Sequence, residues 1–73
     1  MTPTVGRIVN YVLPNGAIRP AIVVRVWDDG RLQLQQFTDQ TNDGEPLGIV
    51  WRTSVVEGCE PGQWHWPVRE GGN

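Results

Sequence analysis

The side chains able to do chemistry in this chain are few, and their spacing decides what they can do. Cys59 and His65 are its only cysteine and only histidine, and a thiolate beside an imidazole is a nucleophile–base set for covalent catalysis. No residue that would orient the imidazole follows from the spacing, and a lone cysteine after Gly58 reads as a small hydrophobe tolerated in a loop. Asp28-Asp29 is a carboxylate pair of the kind used in general acid–base chemistry. It stands directly before Gly30 between two apolar runs, however, where aspartate serves a tight turn by bonding nearby backbone. Asp39, Asp43 and Glu45 lack the alternating ligands and closing glutamate of a calcium loop. The glycines are spread singly at turns, so no phosphate-cradling loop is formed. The expectation is a protein that is not an enzyme, with no metal and no cofactor.

Arginine and tryptophan form the one combination above background. All six basic residues are arginine, and four tryptophans accompany them. Guanidinium and indole planes stack on nucleic bases and on each other, at roughly 1–3 kcal/mol per stacked base. The candidate ligand or partner contacts are Arg25 and Trp27, which share a strand face, Arg52, and the pair Trp64 and Trp66. The last two project to one side of the extended segment Gln63-Trp64-His65-Trp66-Pro67, with His65 on the other. They either close a small core or present an aromatic surface, and the sequence leaves both open. His65, without companions at metal-ligand spacing, is read as an ordinary hydrogen-bonding residue.

The elements that position these residues are strands. Apolar residues recur with period two almost throughout, and no i, i+3, i+4, i+7 stripe is sustained. Strands are predicted from about Val5 to Val12, Arg19 to Trp27, Arg31 to Phe37, Gly48 to Val55 and Gln63 to Pro67. Pro14-Asn15-Gly16 and Asp28-Asp29-Gly30 are turn signals. In the second strand Arg25 marks the face it shares with Ala21, Val23 and Trp27 as wet, so Ile22, Val24 and Val26 are expected to face the core. Leu32 and Leu34 are expected inward, Gln33 and Gln35 outward. Thr38 to Pro46 holds no apolar residue and reads as a solvated loop. Ser54 to Gly58 is predicted to make a single helical turn, with Ser54 as its cap. Pro67 cannot donate to a ladder, which places the last strand at an edge. The expected fold is all-β, a small five-stranded SH3-like barrel with one short 3₁₀ or helical turn. It occupies residues 5–68 as a single domain, with a flexible start at 1–4 and a flexible tail at 69–73.

Composition sets the outer bounds. At 73 residues the chain is near the lower limit for burying a core unaided, which favours self-association as a prior. One cysteine allows neither an internal disulfide nor a Cys-based zinc site, and an intracellular, reducing setting is expected. No window approaches the ~20 apolar residues of a membrane span, and Met1-Thr2-Pro3-Thr4 lacks the character of a signal peptide. The formal charge of −2 argues against general nucleic-acid binding.

Pro3-Thr4-Val5-Gly6-Arg7-Ile8-Val9-Asn10-Tyr11, Arg19-Pro20-Ala21-Ile22-Val23-Val24 and Gly62-Gln63-Trp64-His65-Trp66-Pro67 resemble a group of small proteins from tailed bacteriophages and prophages. Members of that group often carry histidine where this chain has Asn10. The resemblance implies a viral or prophage origin and no particular mechanism. With that origin, the small size, the arginines and tryptophans available for stacking and the lack of a catalytic set make the expected function a phage-encoded, non-catalytic binding protein. Such a protein would act against host defence in the bacterial cytoplasm, by sequestering a small nucleotide ligand or by capping a host protein. A virion decoration or connector protein, held by the phage capsid, is the alternative. A homo-oligomer is compatible with either.

Overall fold

A computed structural model describes residues 3–39 and 48–67. The strands are β1 (Ile8–Val12), β2 (Ile18–Val26), β3 (Leu32–Phe37), β4 (Ile49–Val55) and β5 (Trp64–His65). They form one antiparallel sheet in the order β4-β3-β2-β1-β5, which curls into an SH3-like barrel. The described residues contain no helix, hence none long and apolar enough to cross a membrane. Most of the expected polar loop and the tail at 69–73 lie outside the described residues.

Both short hairpins have the same construction. The Leu13 N–H donates to Ala17 O and Gly16 N–H returns to Leu13 O; the Trp27 N–H donates to Arg31 O and Gly30 N–H returns to Trp27 O. Gly16 (φ 87°) and Gly30 (φ 91°) occupy the left-handed position of this three-residue turn, where a Cβ is penalised. Asn15 Oδ1 accepts the Ala17 N–H at 2.8 Å, and Asp29 Oδ1 accepts the Arg31 N–H at 3.0 Å. The Asp28-Asp29 pair thus belongs to a turn. β1 begins three residues later than expected because Arg7 N–H closes a turn on Thr4 O.

Closure occurs at β5. The Val12 N–H donates to Gln63 O, which makes β5 a partner of β1 and turns the backbone groups of Trp64 away from that strand. Those groups meet the chain leaving β4: Trp64 N–H donates to Val56 O at 3.0 Å, and Gly58 N–H donates to Trp64 O at 2.8 Å. The predicted helical turn over Ser54 to Gly58 is therefore absent. Val55 remains in β4 and Glu57 bridges Trp64 in parallel, because an extended chain satisfies the free side of β5 and a helical turn would not.

The core comprises Val9, Tyr11, Leu13, Ala21, Val23, Leu32, Leu34, Val55 and Trp64. This corrects the expected inward face of β2. Ala21 and Val23 are fully buried, while Ile22 is half-buried and Val24 exposed. A bulge between Val23 and Arg25 inserts one residue and reverses the alternation, so that Val26 packs inward beyond it. Arg25 marks the outside only for its own side of the bulge. A second register shift lies opposite Leu32 to Leu34 on β4, where Ser54 takes φ 58° and Val55 is brought inward. Urea denaturation checks the assignment: Val23→Ala is expected to cost about 1.5–3 kcal/mol, and Val24→Ala no more than about 0.5 kcal/mol.

Candidate functional site

The five candidate contact residues are not assembled into one site. Arg25 and Trp27 meet: the guanidinium lies 5.1 Å from the indole centroid, just before the β2–β3 turn. With Val26, Asp28 and Asp29 they line an open concavity of about 280 Å³. Asp29 is engaged with Arg31, whose Nε donates to its Oδ2 at 2.7 Å. The Arg31 backbone N–H, and then its side chain, hold the Asp29 carboxyl below its ordinary range.

Arg52 is half-buried, its guanidinium engaged within the protein. Continuing the β2–β3 register puts Pro20 opposite Phe37, at a position where a ladder would need an N–H that proline lacks. The Phe37 carbonyl instead accepts from the side-chain amide of Gln36 at 2.8 Å. Gln36 is fully buried, and its Oε1 accepts from Arg52 Nε at 3.1 Å and Nη2 at 2.9 Å. The same guanidinium sits 4.9 Å above the Tyr11 ring. Buried Arg19 lies opposite Tyr11, donating to Ile18 O and Asp39 Oδ1. Sequence reasoning passed over Arg19 and Gln36, although each has the parity of a buried neighbour (Arg19 of Ala21, Gln36 of Leu34).

Trp64 is core, at 2 % exposure, and half-buried Trp66 meets it edge-on with ring centroids 5.6 Å apart. Trp64 Nε1 and His65 Nδ1 are buried without a hydrogen-bond partner among the described residues. Half-buried His65 pairs with Asn10, and Cys59 is exposed in the β4–β5 connection.

The most exposed indole among the described residues is one the sequence reading left off its site list. Trp51 is 57 % exposed and heads a row that crosses four strands by direct pairing, Ile8–Ile22–Gln35–Trp51. Ile8 is as open as Trp51, and exposed Ile49 sits in the next row beside half-buried Phe37. Together these side chains form an exposed, largely apolar patch on the outer face of the barrel, a kind of surface that commonly marks interaction sites. The available signal was the alternation of Ile49, Trp51 and Thr53 against Arg52, which identifies the outer face once Arg52 is known to turn inward.

Two outcomes test this geometry. Gln36→Leu is expected to lose about 2–4 kcal/mol by orphaning the Phe37 carbonyl and removing the acceptor of two Arg52 N–H groups. Pro20→Ala should return about 1 kcal/mol in that background and less in the unaltered chain, a coupling measurable by a double-mutant cycle. A depressed carboxyl contributes stability above its unfolded-state range, and the contribution disappears as pH falls through the folded value. Asp29→Asn should accordingly flatten the acid limb of stability below about pH 4, read by denaturation across pH. Comparison of the chain with protein-family models, curated proteins and solved structures finds no match.

Proposed function

We propose that this chain is a non-catalytic binding protein of bacteriophage or prophage origin that acts in the host bacterial cytoplasm by capping a host protein. The observation that carries this reading is the outer row Ile8–Ile22–Gln35–Trp51, with Ile49 and Phe37 beside it. A tryptophan more than half exposed, as Trp51 is, is poorly used in water, whereas at the centre of an interface it is a favoured anchor. The barrel beneath it is closed by backbone bonds and lined by apolar side chains, so the surface is presented on a rigid support. A cover of this kind needs no catalytic group.

Arg25 and Trp27 favour a second reading, a small nucleotide ligand stacked on the indole with its phosphate toward the guanidinium. Calorimetry against a nucleotide panel decides it: binding abolished by Arg25→Ala supports this reading, and absence of heat with every nucleotide removes it.

A photo-crosslinking residue placed at position 51 or 22 in infected cells is expected to trap a host protein, and one at Glu60 is not. Trp51→Ala should weaken the isolated complex by about 30-fold or more. Equal trapping from Glu60 would overturn the proposal. Adducts confined to phage structural proteins, with the chain present in purified particles, would replace it with the virion reading.

A further inference from the structure

We infer that the free edge of β4 is the seam of a two-fold dimer, in which two copies of this chain pair antiparallel about Trp51. The Thr38 N–H donates to Gly48 O at 3.0 Å, which makes these two a hydrogen-bonded pair across β3 and β4. Such pairs alternate along an antiparallel ladder. Val50 and Arg52 therefore turn their backbone groups toward β3, while those of Ile49, Trp51 and Thr53 point outward. Among the described residues, none of the outward groups has a backbone partner.

The two ends of the sheet are treated differently. β5 is two residues long, is covered by the 56–58 segment and runs into Pro67. At β4 the stretch Ile49-Val50-Trp51-Arg52-Thr53 contains no lysine, proline or acidic residue, the usual guards of an open edge. Its one charge is held inward, on Gln36 and over Tyr11. Two such edges meet without like-charge repulsion, whereas a charged partner strand would find no complement there.

The register follows from where the regular edge stops. Gly48 at φ 101° and Ser54 at φ 58° interrupt the extended backbone on either side. The stretch between them is odd in number and centred on Trp51, so the two-fold axis passes through that residue. Trp51 then pairs with Trp51 of the partner subunit, and Ile49 with Thr53 of the partner subunit, for about six backbone hydrogen bonds. The apolar rows of both copies run together into one surface. Indoles of ~150–250 Å² each, about half exposed, bring a few hundred Å² to the seam. That is below the ~1,200 Å² of stable complexes, so the equilibrium is concentration-dependent.

Sedimentation equilibrium between about 10 μM and about 1 mM tests this. The mass should rise from 8.2 kDa toward twice that value. Thr53→Pro, which removes an outward N–H and leaves the β3 ladder intact, should raise the dissociation constant at least about tenfold. Trp51→Glu and Trp51→Lys chains, each folded by circular dichroism, should stay monomeric alone and associate when mixed, since opposite charges then face across the axis. A wild-type chain that is monomeric throughout, a dimer indifferent to these substitutions, or a mixture no heavier than its components would overturn the inference. A monomer that still gives the host cross-links from position 51 overturns the dimer and leaves the proposed function standing.

Discussion

A proline in a central strand is the constraint from which much of this structure follows. Pro20 leaves the Phe37 carbonyl without its ladder donor, and the nearest replacement is a side chain that must be buried to reach it. Gln36 supplies the donor, and its own oxygen then requires partners in a dry setting, where an unmade bond costs about 1–3 kcal/mol. Arg52 satisfies that oxygen twice and rests its cationic plane on Tyr11. The chain of dependence runs from one missing N–H to the partial burial of an arginine. Charge alone would have placed Arg52 in full solvent; hydrogen-bond satisfaction turns it toward Gln36 and leaves it half-buried.

Closure adds a second constraint of the same type. Trp64 offers backbone groups on the side away from β1, and the segment following β4 answers them by remaining extended. A chain this short has little apolar area to spare, and burying Trp64 at the joint couples closure to the core. The bulges in β2 and β4 let the sheet bend that far. Each also exchanges inside for outside, which is how Val23 and Val26, three residues apart, both come to face the core.

With Arg52 and Trp64 committed to structure, the outer surface is reduced to two features of different character. The Arg25–Trp27 pair is a small polar–aromatic platform beside a turn. The row ending at Trp51 is broad and largely apolar, Gln35 excepted, and β4 carries it to an edge with no partner strand among the described residues. On that strand the backbone N–H and C=O groups lie in the plane of the sheet and serve the seam, while the side chains stand perpendicular to it and serve the face, Trp51 at the axis contributing to both. A binding role supported by this surface depends on shape and burial, and on no reactive group.

Strand number, the two glycine turns, the inward Leu32 and Leu34 and the all-β class were legible in the sequence, since period-two alternation and positive-φ turn residues are local properties. The same alternation put Gln36 beside Leu34, although its meaning depended on Pro20 in a neighbouring strand. Tertiary structure alone decided the inward face of β2, the conformation after Ser54, and which of the arginines and tryptophans remain exposed. A bulge shifts parity by one residue without a marker in composition. Whether a segment coils or extends is set by the hydrogen bonds another strand leaves open.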